Sequence, residues 1–134
     1  MFVDACAIVA MMAGEETAEA YETALLRANS PFTSPLAAWE AIIVLSRLDQ
    51  LDCRYHQAEG AVVDWLDARG VEIREAGSPR QLLNYAVAVA EEHGIGRRYL
   101  SNFDCFHYAY AKVTEQPLLT LDQLLRQTGA DTRP

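Results

Sequence analysis

The chain is short of everything that would place it in a membrane or in an oxidising compartment. Its longest apolar run, Ala5 to Ala13, falls well below the roughly 20 residues needed to cross a bilayer as a helix. Met1-Phe-Val is followed at once by Asp4, with no basic segment ahead of an apolar one, which predicts no secretory signal. Only three cysteines are present, Cys6, Cys53 and Cys105. They lie far apart with no Cys-x-x-Cys pair, which excludes a zinc ribbon and a disulfide framework and fits reduced thiols in the cytoplasm. No repeat and no low-complexity tract interrupts the chain. Cations are scarce: 11 Lys and Arg face 19 Asp and Glu, for a formal net charge of −8. That excludes a basic coat for duplex nucleic acid. It leaves a partner with basic segments, or a pocket of carboxylates that works with cations.

What is present suits a folded unit. About half the residues are hydrophobic (51%), enough to bury a core, and 134 residues fit one domain over 1–134 with 129–134 as a loose tail. Short apolar segments alternate with helical ones. Met1 to Asp4 reads as a buried strand ending at an acid, and Ala5 to Ala13 as a helix stopped by Gly14. Glu15 to Ala28 reads as a helix with Ala18, Tyr21, Leu25 and Ala28 on one face. Phe32-Thr33 is a very short strand after the turn residues Asn29-Ser30-Pro31. Ser34-Pro35 opens a helix running to about Leu48, as an N-cap followed by proline at the first helical position. A further helix covers Arg54 to Ala68, with Ala58, Val62, Trp65 and Leu66 facing the core. Val71 to Arg74 alternates as a strand does, Gly77-Ser78-Pro79 opens a helix to about Gly94, and Gly96-Arg97-Arg98 is a loop. Asn102 caps a helix from Phe103 to Thr114. Pro117 to Leu121 is a strand, and Asp122 caps a last helix to Gln127. This alternation predicts a three-layer α/β/α sandwich around a central, mainly parallel sheet.

Four acids carry the chemistry: Asp4, Glu40, Asp104 and Asp122. Asp4 and Asp122 sit where strands end, and in open parallel sheets ligands bind outside the carboxyl ends of the strands. Each also suits a simple helix cap. Glu40 is harder to explain by structure alone. Its helical neighbours are Leu36, Ala37, Ile43 and Val44, and no basic residue lies within reach of it along the helix. Burying it unpaired would cost several kcal/mol, by order of magnitude, so a cation-binding role is favoured. Asp104 suits the first turn of a helix, and the dense apolar and aromatic residues behind it aim it into a cleft. Carboxylates gathered without lysines repel one another. A hard divalent ion, Mg²⁺ or Mn²⁺, relieves that with oxygen ligands, activates water and neutralises phosphodiester charge. His56, His93 and His107 do not pair at metal spacing. His107, three residues after Asp104, can touch the site but reads first as a core or supporting histidine. Thr120 either orients a metal-bound water or is an ordinary strand threonine.

Met1-Phe-Val-Asp-Ala-Cys-Ala-Ile, Trp39-Glu40, Asn102-Phe-Asp-Cys-Phe-His-Tyr-Ala-Tyr-Ala-Lys112 and Pro117-Leu-Leu-Thr-Leu-Asp122 together resemble, in order and spacing, the motifs of the PIN-domain family, and within it the VapC-type toxins. The resemblance implies a Mg²⁺- or Mn²⁺-dependent RNA endonuclease of a type II toxin–antitoxin pair, held inactive by a VapB-like antitoxin, and a homodimer. It gives the metal-site role to Asp4, Glu40, Asp104 and Asp122. Phe103 departs from the family, which often has Gly before the third acid, and Leu121-Asp-Gln-Leu replaces its usual Gly-Asp/Asn-Asp-Phe stretch. Two other readings compete. A phosphotransfer or receiver domain also places Asp at strand ends, but the chain lacks Asp-x-Asp after the first strand and a strand-end lysine. A non-catalytic module of the same fold would not need all four acids.

Overall fold

Phe2 and Val3 are fully buried and form β1 (Phe2–Val3), the middle strand of the sheet in this computed structural model, which describes residues 1–47 and 49–134. Asp4 then leaves extended backbone as the N-cap of α1 (Ala5–Ala13), which Gly14 closes in the left-handed region (φ 65°), where glycine avoids the steric penalty of a Cβ. α2 (Ala18–Leu26) is shorter at both ends than the apolar pattern implies. It buries Tyr21 and Leu25 but leaves Ala18 and Ala28 half-buried. β2 (Phe32–Thr33) follows. The Ser34 hydroxyl accepts from Ala37 N at 3.0 Å with Pro35 in the first turn, and α3 (Pro35–Leu45) ends with Ser46 as C-cap. The end expected near Leu48 falls on a residue outside the described ones.

α4 (Tyr55–Ala68) buries Ala58, Val62 and Leu66, leaving Trp65 half-buried under the Arg69 guanidinium, 4.2 Å from its ring centroid. β3 (Glu72–Ile73) is an exposed edge strand. α5 (Pro79–His93) opens on the Ser78 cap. Just before it, Gly77 (φ 73°) must lack a side chain, because a Cβ there would lie 2.5 Å from Val113. α6 (Asn102–Thr114) begins one residue earlier than its sequence implies. Ser101, not Asn102, is the cap: its hydroxyl accepts from Asp104 N while the Asp104 carboxylate accepts from Ser101 N, a reciprocal capping box.

β4 (Leu118–Leu119) and α7 (Gln123–Arg126) lead to β5 (Thr132–Arg133). Residues 129–134 are therefore not a loose tail. β5 pairs in parallel with β4, Leu118 opposite Thr132 and Leu119 opposite Arg133, with Leu118 N donating to Asp131 O and Thr120 N to Arg133 O. Backbone hydrogen bonds, not side-chain pattern, recruit this polar segment.

All described strands run parallel in the order β3-β2-β1-β4-β5, with helices completing the three-layer α/β/α sandwich. The chain builds outward from β1 through β2 to β3, then returns to the other side of β1 for β4 and β5. The order reverses between β1 and β4, and connections leaving those two strands diverge. A crevice forms at such a point, outside the carboxyl ends of the strands. No helix among the described residues is long and apolar enough to cross a membrane.

Candidate metal centre

Asp4 stands at the carboxyl end of β1, 2% exposed, facing the end of β4 across the crevice. Its Oδ2 accepts from the Thr120 hydroxyl at 2.7 Å and from the Cys6 thiol at 2.9 Å. These bonds commit one carboxylate oxygen to the protein and leave Oδ1 turned toward His107 Nε2, 3.5 Å away. Burial, then the charge of Asp4, pushes the Cys6 thiol well above its ordinary pKa, so Cys6 stays a donor. Tyr21 is raised likewise by burial. Its hydroxyl accepts from Leu121 N at 2.8 Å and touches the Cys6 sulfur at 3.4 Å, tying α2 to the strand end that carries the last acid.

Glu40 finds its partner from α6, not along its own helix. His107 Nε2 lies 2.6 Å from Glu40 Oε2. The ligating atoms of Asp4, Glu40 and His107 lie within 4.8 Å of one another, a grouping able to hold a metal ion. A cleft of about 210 Å³ bordered by Ala5, Cys6, Val9, Glu15, Glu40 and Val44 opens beside it. Burial alone would depress the His107 imidazolium. The Glu40 hydrogen bond and the charges of Asp4, Glu40 and Asp104 outweigh burial, and the net direction is upward.

Asp104 lies on the first turn of α6, one turn before His107. Burial pushes its carboxyl above the usual range, the charge of Asp4 adds to this, and the hydrogen bonds from Ser101 together with His107 oppose it. Asp104 thus completes the capping box of α6 and is coupled electrostatically to Asp4 and His107. Asp122 connects less directly. Its backbone N donates to Thr120 Oγ1 at 3.1 Å, the same oxygen that holds Asp4. Its Oδ1 is occupied by Leu124 N and Leu125 N, both at 2.9 Å. The structure brings Asp4 and Glu40 together at His107, engages Asp104 in the capping box of α6 one turn before that histidine, and engages one oxygen of Asp122 in capping α7.

The sequence understated His107 and gave Cys6 no part. The signal for His107 was its place one helical turn after Asp104; for Cys6 it was a polar atom two residues after Asp4. Phe103 is half-buried and does not border the cleft beside Glu40. Its ring lies beside His107, with centroids 6.5 Å apart and planes 28° apart, while Phe2 covers the imidazole from β1 at 5.9 Å.

The sequence model of the PIN domain family matches residues 1–131; the chain belongs to the PIN domain family. Among curated proteins it is similar to the "Ribonuclease VapC" of Mycolicibacterium smegmatis, 34% identical over 140 aligned residues that cover 96% of this chain and 95% of the relative. It is likewise similar to "Ribonuclease VapC30" of Mycobacterium tuberculosis and "VapC ribonuclease Mb0640" of Mycobacterium bovis, each 30% identical over 135 residues covering 98% of this chain and 97% of the relative.

Proposed function

We propose that this protein is a metal-dependent endoribonuclease and the toxin of a type II toxin–antitoxin pair. The observation that carries the reading is the meeting of Asp4 and Glu40 at one buried histidine, His107, at the carboxyl end of β1, in a chain of the PIN domain family whose relatives are named VapC ribonucleases. The donor set fits a divalent cation. Buried or half-buried carboxylates of one sign, with one histidine among them, form a hard, oxygen-rich pocket that a Mg²⁺ or Mn²⁺ ion neutralises. Asp4, Glu40 and Asp104 would hold the ion, with Asp122 joining through the oxygen its cap leaves free. A bound ion supplies charge neutralisation at a phosphodiester and an acidified water.

The chain's own residues prepare that chemistry. Thr120 and Cys6 fix Asp4 by its Oδ2, so that Oδ1 faces inward without rotation. The Ser101 capping box fixes Asp104 against the first turn of α6, and Tyr21 braces the strand end beside Asp122. An acidic protein approaches an acidic polymer against repulsion. A divalent cation among these carboxylates would offset most of their charge where RNA must come close.

The same reading assigns a small antitoxin whose basic side chain neutralises the acids. It assigns a homodimer too, for which α5 offers Leu83 and Val87, four residues apart on one face and still exposed. The test has two arms. The purified chain is incubated with a panel of cellular RNAs, with Mn²⁺ and with EDTA; cleavage is expected only with the metal. Expression in bacteria is expected to arrest growth, with relief by the product of the neighbouring gene. Intact RNA in the first arm together with normal growth in the second overturns the assignment.

A further inference from the structure

We propose that His107 is a positioning residue of this site: its Nε2–H holds the Glu40 carboxylate in place, with Asp4 beside it, and the imidazole stays outside the ion's own ligand set. The inference rests on the reading of the acids as a metal centre and adds to it a residue outside the four carboxylates.

The hydrogen-bond network assigns the proton. His107 is fully buried, and its Nδ1 has no hydrogen-bond partner among the described residues. A proton on Nδ1 alone would leave a buried donor unsatisfied among Phe2 and Phe103 and aim the Nε2 lone pair at two carboxylates. An unsatisfied buried donor costs about 1–3 kcal/mol, and the lone-pair repulsion adds to it. A proton on Nε2 instead gives Glu40 Oε2 a donor at 2.6 Å, short enough for a charge-assisted bond, and leaves only a lone pair unpaired on Nδ1. Metal ligation through Nε2 needs the proton on Nδ1, where it finds no acceptor among the described residues.

Glu40 needs such a partner. It sits half-buried on α3 between apolar turns and has several rotatable bonds, whose ordering costs up to about 2 kcal/mol. Nothing on its own helix offers a hydrogen bond. His107 is itself fully buried beside the Phe2 and Phe103 rings, so the Nε2–H is a fixed point. It takes one Glu40 oxygen and leaves Oε1 for a cation. Phe103, where the family often has glycine, then has a role: its ring lies beside the imidazole, with centroids 6.5 Å apart. The resulting ligand set is all oxygen, which suits Mg²⁺ and Mn²⁺ over softer ions.

The test uses the full chain as wild type, His107→Leu and His107→Gln. Gln returns an N–H donor near the Nε2 position; Leu returns none. Mn²⁺ affinity is measured by titration, ligation by the visible absorption of the Co²⁺-loaded protein, and folding by melting in EDTA. Loss of an outer hydrogen-bond partner typically costs 10–100-fold in metal affinity, so Leu is expected to weaken Mn²⁺ binding by about that factor. Gln is expected to restore most of it, and the Co²⁺ spectra of wild type and Gln are expected to coincide. A wild-type Co²⁺ spectrum of nitrogen ligation that Gln abolishes, with Gln binding as weakly as Leu, makes His107 a ligand and overturns the proposal. Leu binding Mn²⁺ as tightly as wild type also overturns it. If Leu does not fold, the wild-type and Gln comparison decides alone. Absence of saturable Mn²⁺ binding by wild type removes the metal centre itself, and the proposal with it, and is read without any variant.

Discussion

Asp122 offers the cleanest separation of architecture from chemistry, because one oxygen of its carboxylate has a visible structural task. Oδ1 accepts from Leu124 N and Leu125 N at the start of α7, and Leu125 behind it is fully buried. Replacing a capping Asp by Ala costs typically about 1 kcal/mol and up to about 2, whereas Asn retains the accepting oxygen and costs little. Unfolding entropy near the melting point is about 2.1 cal/mol/K per residue, so for 134 residues about 1 kcal/mol shifts the melting temperature by about 3.5 °C. Asp122→Ala is therefore expected to lower the melting temperature in EDTA by about 3–7 °C, while Asp122→Asn stays within about 1 °C of wild type. Circular dichroism melts of the three proteins in one buffer measure this. Equal losses for Ala and Asn would mean that charge, not the accepting oxygen, stabilises the turn, and the capping argument fails. RNA cleavage at limiting Mn²⁺ supplies the second half: Asn is expected to cleave poorly despite its stability. Wild-type activity in Asn would confine Asp122 to capping.

Three further outcomes follow from the site. Asp4→Asn keeps acceptors for Thr120 and Cys6, so the protein is expected to fold with a near-normal melt and to lose RNA cleavage; undiminished cleavage contradicts the metal role of Asp4. Glu40→Gln exchanges a charge-assisted bond to buried His107 for a neutral one, a difference of about 1 kcal/mol. A lower melting temperature in EDTA is expected, and a rise would show that repulsion among the acids outweighs the pairing. Asp104→Asn is expected to melt higher than wild type at pH 7 in EDTA, because burial first, then Asp4, raises the folded-state pKa of Asp104. The ionised carboxylate then costs stability only above the unfolded-state value of about 3.9, so the gap should close as pH falls below it; a gap constant with pH contradicts this origin.

Local chemistry was legible in the sequence, and long-range chemistry was not. α1 has the bounds its apolar run implies, Ser34-Pro35 opens α3 as a capped helix start, and Asp122 caps α7. Each is decided within about four residues. The acids were legible because residue type and strand-end position suffice to nominate them. The Glu40–His107 bond spans 67 residues and depends on how α3 and α6 lie across the sheet, which no local pattern reports. Ser101 displaced Asn102 as the cap because both are good caps one residue apart; the reciprocal bond with Asp104 decides between them. β5 escaped notice because Asp131-Thr132-Arg133 carries no alternation. Its pairing is made entirely by backbone groups that β4 presents.

Asp4 and Thr120, whose bond closes the site, stand 116 residues apart, and Thr120 is itself held by Arg133 on β5 through its backbone N. During synthesis Asp4 is made 116 residues ahead of the threonine that orients it. Until then β1 has no β4 to pair with, and Asp4 lacks one of the donors that set its geometry. A ribosome translating this chain thus carries no assembled nuclease, although it is surrounded by RNA. The donors and strand pairing that set the geometry of Asp4 are complete only once β4 and Thr120 have been made.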